Sequence, residues 1–275
     1  MKNSTLRLVI GDMVRTYFSA HVSRSAAALA YFLTLSVFPT IICLSAMLGN
    51  LLPDANLIIG YVADIIPAEG IEMLSEYMKY VTSRNSGAMV TAGIVLMATS
   101  SGAAYRSLHN VMAEVHGTPR FTGMARFVMS FIFSFLFLAT IYFAVTVIVT
   151  GEWFLLFVEE QVVHANISEA WSWVRFIMLF CLLVIIIYGV YRLAAPKGAE
   201  RILMPGAAAA SFVLVAVSIL FSWFINISVR YPLVYGSLAS IIILMVWLYV
   251  CGNILIMGNV LNIVLMRHIG LSDEG

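Results

Sequence analysis

The stretch Phe131–Val149, FIFSFLFLATIYFAVTVIV, carries no charged side chain, and its reading decides the fold. A helix of roughly 20 residues crosses a hydrocarbon core of about 30 Å, so the stretch is long enough to span a bilayer. Backbone exposed to lipid must satisfy its own hydrogen bonds, which leaves either a helix or a strand of a closed barrel. A barrel strand alternates apolar with polar residues, and this stretch does not. It reads as a transmembrane helix.

Outward from it, the chain repeats the same pattern. Across 275 residues 62% are hydrophobic and 11% charged, with a mean hydropathy of +0.98. A soluble domain is about half apolar and about a quarter charged. Apolar runs of spanning length recur six times, near Ser25 to Leu52, Gly87 to Asn110, Phe127 to Thr150, Trp173 to Leu193, Leu203 to Ile227 and Gly236 to Met266. The expected fold is all-α: a polytopic membrane protein of six transmembrane helices forming one integral membrane domain, residues 1–275. The first run follows a polar, basic stretch and is too long for a signal core, so it is expected to remain as the first span.

Six spans put both termini on one side, and Lys and Arg concentrate in cytoplasmic loops. That side carries Lys2, Arg7, Arg15, Arg24, Arg106, Arg120, Arg126, Arg192, Lys197, Arg201 and Arg267, against Lys79, Arg84, Arg175 and Arg230 on the other. Both termini are therefore expected in the cytoplasm. The net charge of +1 describes this sidedness, and no nucleic-acid partner is expected.

Two amphipathic segments lie outside the spans. In residues 1–24, Leu6, Ile10, Met13 and Tyr17 recur at helical spacing with Arg7 and Arg15 elsewhere, which suits either a helix on the anionic inner leaflet or a plain basic flank. In residues 53–86, Asp54 begins a helix through Leu57, Tyr61 and Ile65, Pro67 interrupts it, and Ile71, Leu74, Met78 and Val81 resume one. This external hairpin is placed to roof the bundle. Cys43, Cys181 and Cys251 fall inside spans without CxxC spacing and read as buried structural thiols.

Lipid does not drive helices together as water does, so small and polar residues mark the faces where helices meet or line a cavity. At about 100° per residue, Ser211, Ser218, Ser222 and Asn226 form one stripe on the fifth span. Cys251, Gly252, Gly258, Asn259 and Asn262 form another on the sixth, and Thr91, Thr99, Gly102, Arg106, His109 and Asn110 a third on the second. The third and fourth spans show none and are expected to face lipid. In the first, AAALAYFLTLSVFPT (Ala26–Thr40), Pro39 frees the carbonyl of Leu35 and bends the helix. Tyr31 and Thr34 share a face, and Ser36 lies near the disturbed turn.

The blocks AAALAYFLTLSVFPT, TSSGAAYRSLHNVM, LMPGAAAASF and YGSLASIIILMVWLYVCGNILIMGNVLN together resemble the YihY or BrkB family of bacterial inner-membrane proteins. The resemblance spans nearly the whole chain and implies the bacterial inner membrane. Val260 occupies a slot that in the family is often acidic. Members have often been labelled ribonuclease BN, a tRNA-processing nuclease; a role in moving lipids or other envelope amphiphiles is similar to what has been proposed for them. The histidines here, His21, His109, His116, His164 and His268, form no HxH cluster, and His109, Glu114 and His116 are the nearest approach to one. No metal, cofactor or enzymatic activity is expected.

The expected function is a transporter or flippase-like protein with membrane lipids as partners and a polar cavity lined by spans one, two, five and six. Its candidate residues are Tyr31, Thr34, Ser36, Pro39, Thr99, Arg106, Asn110, Ser218, Ser222, Asn226, Asn259 and Asn262. Arg106 is expected near the cytoplasmic end of its span, where its fork suits Tyr31, freed carbonyls or an anionic lipid headgroup. The alternative is a scaffold or accessory subunit using the same faces for packing.

Overall fold

Apolar length dictates helices, and helices are what form. The computed structural model describes residues 3–48, 87–117, 121–161, 167–194, 203–227 and 238–270. Among them stand α1 (Asn3–Ser19), α2 (Val22–Leu48), α3 (Gly87–His116), α4 (Gly123–Gln161), α5 (Ile167–Ala194), α6 (Met204–Ile227) and α7 (Leu238–Gly270), with no strand. The expected hairpin at 53–86 lies outside the described residues.

The helices α2 to α7 coincide with the six expected apolar runs. Five of them, α2, α3, α4, α6 and α7, contain described stretches long and apolar enough to cross a membrane, whereas the described apolar part of α5 is the shorter Phe180–Leu193. This is a polytopic all-α membrane protein.

Helix α2 packs most extensively on α3, and α7 lies against α1, α2, α3 and α6. Helix α4 covers α3, and α5 covers α6 and touches α3. The outer surfaces present Phe135 and Leu136 on α4, Ile177 and Ile185 on α5, and Ile219, Leu220, Trp223 and Phe224 on α6. Such faces suit lipid, where exposed apolar area costs nothing relative to burial. The main core gathers Val22, Ala26 and Leu29 with Ala104, Leu108 and Met112, and with Tyr191, Leu203, Ala207, Ile256 and Val260.

Helix crossings are set by glycines. A Cβ on Gly93 would lie 2.9 Å from Ile42 and 3.6 Å from the Pro39 carbonyl oxygen, so α3 seats against the proline turn of α2. A Cβ on Gly252 would likewise lie 3.3 Å from the Ala26 carbonyl oxygen, so α7 seats against α2 there. Gly206 and Gly258 let α6 and α7 approach until each backbone occupies the space of the other's missing side chain.

The N-terminal helix packs part of its amphipathic stripe on the bundle. Of its stripe, Ile10 is exposed, but Met13 and Tyr17 pack on the core beside the buried Val9. The Tyr17 hydroxyl donates to Asn253 Oδ1 at 3.2 Å, and His268 Nε2 lies 3.1 Å from Asp12 Oδ2, so α1 is tied to α7. A second row, Ile10, Val14 and Phe18, is left for an apolar surrounding. His21, in the left-handed region at φ 47°, turns the chain from α1 into α2. The thiols differ from expectation in part: Cys43 is buried and Cys251 half-buried, but Cys181 is exposed on α5.

Candidate functional site

The proline turn of α2 is ringed by hydroxyls that bond their own helix. Thr34 Oγ1 donates to the Ala30 carbonyl at 2.8 Å, Ser36 Oγ to that of Leu33 at 2.7 Å, and Thr40 Oγ1 to that of Ser36 at 2.7 Å. All three side chains and Pro39 are buried. These bonds satisfy the three hydroxyls within their own helix, on carbonyls other than that of Leu35, which Pro39 frees. Tyr31 is 50% exposed and lies edge-on against Phe32, away from that buried face.

The stripe expected on α3 divides. Thr91, Thr99 and Asn110 are exposed, and the two threonines bond carbonyls of their own helix. Gly102 and His109 are buried, and Arg106 is half-buried. Arg106 Nη1 donates to Ser130 Oγ on α4 at 3.0 Å; its partner is therefore a serine of the third span, not Tyr31. A Cβ on Gly102 would lie 3.3 Å from that guanidinium, so the glycine leaves its path clear.

Ser130 and Ser134 correct the reading of the third span as uniformly lipid-facing. Both are fully buried, and Ser134 Oγ donates to the Ala98 carbonyl of α3 at 3.1 Å. The fourth span likewise sends Tyr191 inward, its hydroxyl donating to the Leu255 carbonyl at 2.6 Å. A serine every fourth residue among phenylalanines was the available signal, since such residues share one helix face.

The stripe on α7 is shared among neighbours. Asn262 Oδ1 accepts the Gly206 amide at 2.6 Å while its Nδ2 donates to the Leu203 carbonyl at 3.0 Å. The first amides of a helix have no partner within it, so Asn262 caps α6 from the neighbouring helix. Pro205 in that first turn has no amide to orphan. The LMPGAAAASF and GNVLN blocks thus meet in one contact. Asn259 Nδ2 faces Met112 Sδ of α3 at 2.7 Å, and its Oδ1 is buried without a partner. Val260, fully enclosed in the core, sits between the two asparagines. On α6, Ser211 bonds its own helix and Ser218 is half-buried, while the side chains of Ser222 and Asn226 lie outside the described ones.

His109 escaped the candidate set. Its ring is 1% exposed, lies 5.9 Å from Tyr105 and 6.4 Å from Phe121, and neither nitrogen has a hydrogen-bond partner. Among the described residues no three His, Cys, Asp or Glu side chains converge as metal ligands; Glu114 is exposed, and His116 Nδ1 lies 2.9 Å from the carbonyl of Met112 in its own helix.

A family model described as virulence factor BrkB matches residues 13–274. A Bacillus subtilis (strain 168) protein carrying the provisional name ribonuclease-like protein YfkH is 27% identical over 264 residues, which cover 94% of this chain and 95% of that one. No solved structure matches the chain.

Proposed function

The chain belongs to the BrkB family, and on that premise we propose that it is a transporter or flippase-like protein moving a lipid or another envelope amphiphile across the bacterial inner membrane. The route runs along α2, α3, α6 and α7. What supports this reading is polar capacity inside spanning helices that packing does not use: both nitrogens of His109 and Oδ1 of Asn259 are buried and unpartnered. Polar groups are costly at membrane depth and are retained there chiefly for function. No catalytic step belongs to the proposal, and the word ribonuclease belongs to the relative's name.

In purified form, the protein in liposomes is expected to move a labelled lipid between leaflets faster than protein-free vesicles do. Absence of movement across a broad panel of lipids and amphiphiles would remove the transport role. It would leave the second reading, a scaffold, which the glycine crossings and the Asn262 cap favour.

The same proposal places both termini in the cytoplasm, from the distribution of Lys and Arg. Reporters active on only one side, fused after Gly275 and inserted near Asn56, should report opposite sides. An external C-terminus would reverse the route.

A further inference from the structure

Two faces converge where α3 hands over to α4. Arg106 and His109 stand one turn apart on α3; Arg126 and Ser130 stand one turn apart on α4. The Arg106–Ser130 hydrogen bond joins the faces, and Arg126 lies within electrostatic reach of both Arg106 and His109. Phe121, just before α4, lies against the imidazole. Gly117, at φ 75°, ends α3, and Gly123, at φ 54°, opens α4.

Arg106 and Arg126 bring two charges of one sign to this junction, while Glu114, the carboxylate near the end of α3, is exposed. Arg126 occupies the first turn of α4, where the aligned peptide dipoles already make the helix end positive, and no acidic residue lies in that turn. Among the described residues, no carboxylate pairs with Arg106 or Arg126. Two guanidiniums, a helix N-terminus and a buried imidazole with unused nitrogens repel one another or go unsatisfied unless an anion sits among them.

We propose that the α3–α4 junction is an oxyanion site for a phosphate group, held by Arg106, Arg126, His109 and the first amides of α4. A phosphate fits because its oxygens accept bonds from several directions at once, and guanidinium forks match them in pairs. Its source is a phospholipid headgroup or free phosphate. The site deepens the transport reading by naming the headgroup chemistry handled, and rests on that reading only for what a bound lipid does next.

Full-length protein in nonionic detergent, mixed with phosphatidylglycerol or with uncharged diacylglycerol, should retain only the former by native mass spectrometry. Loss of a charge-assisted bond is worth about a tenfold or greater fall in affinity, expected for Arg126→Gln and for Arg106→Gln. His109→Leu should also weaken retention while raising the thermal midpoint of the lipid-free protein, because it deletes an unsatisfied buried polar group; a merely structural histidine would not separate those readouts. Displacement of the lipid by excess inorganic phosphate identifies free phosphate as the occupant, and retention against it identifies the headgroup. Failure to bind either phosphatidylglycerol or phosphate, or wild-type affinity in all three variants with native helicity, overturns the site. Lipid that binds here but does not change leaflets would sink transport and leave the site standing; lipid that changes leaflets without binding here would sink the site alone.

Discussion

Gly258→Ala should unfold the protein at a markedly lower temperature than wild type, although it adds one methyl group. That methyl would meet the Tyr191 hydroxyl and would lie 2.7 Å from Ala210 Cβ and 2.8 Å from the Gly206 carbonyl oxygen. Real Cβ atoms do not approach backbone oxygens so closely, and none of the three neighbours is the free end of a flexible chain. Tyr191 is fully buried and fixed by its bond to Leu255, while Gly206 is fixed by Asn262. Overpacking of this kind costs about 1–3 kcal/mol, and rigid neighbours place it at the top of that range. Gly206→Ala meets the Gly258 carbonyl and the Asn262 carboxamide and should cost at least as much. Gly189→Ala is the control, since nothing lies within 4 Å of its added carbon and alanine favours helix by up to about 1 kcal/mol. Midpoints of thermal aggregation in detergent provide the measurement. If Gly258→Ala melts no earlier than Gly189→Ala, α6 and α7 do not cross as described.

This crossing shows where sequence reading works and where it stops. Helix positions were legible because length and hydropathy are set by the bilayer: the run at Leu203–Ile227 and the helix at Met204–Ile227 differ by one residue at one end. Which residues face inward was legible only in part. A stripe of small and polar residues has the same appearance whether it lines a cavity or lets two helices touch, and on α7 it serves contacts with α2, α3 and α6 in turn. Ser130 and Ser134 were hidden by the phenylalanines around them. Arg126 reads from sequence as a marker of sidedness alone, because it stands on a different helix from Arg106 and their meeting depends on how α3 and α4 pack. Thr99 and Asn110 illustrate the opposite case. Polar by sequence, they are exposed on the helix surface, and the hydroxyl of Thr99 is satisfied within its own helix. That intrahelical bond is what lets threonine occupy a spanning helix without any site.

The two asparagines of GNVLN should respond in opposite ways to the same substitution. Asn262→Leu removes an acceptor from the Gly206 amide and a donor from the Leu203 carbonyl, both at the buried start of α6. A buried polar group left unsatisfied costs about 1–3 kcal/mol. The Leu203 carbonyl retains its bond from the Ala207 amide, so the Gly206 N–H is the greater loss, and about 3 kcal/mol is expected in all. Asn262→Asp should fall between Leu and wild type: a carboxylate still accepts from Gly206 and is favoured by the helix N-terminus, yet it turns an acceptor towards the Leu203 carbonyl. Asn259→Leu deletes an oxygen that has no partner and a contact to the weak acceptor Met112 Sδ, so its cost should be near zero or negative. Thermal midpoints of the three variants therefore order as Asn259→Leu, Asn262→Asp, Asn262→Leu, from most to least stable. An Asn262→Leu variant as stable as Asn259→Leu would sink the interhelical cap. The same pair also separates the two functional readings. If transport is the role, Asn259→Leu yields a well-folded protein with diminished lipid movement in liposomes, because the unused Oδ1 was retained for the route; if the protein is a scaffold, that oxygen was retained for nothing and its loss changes no transport readout at all.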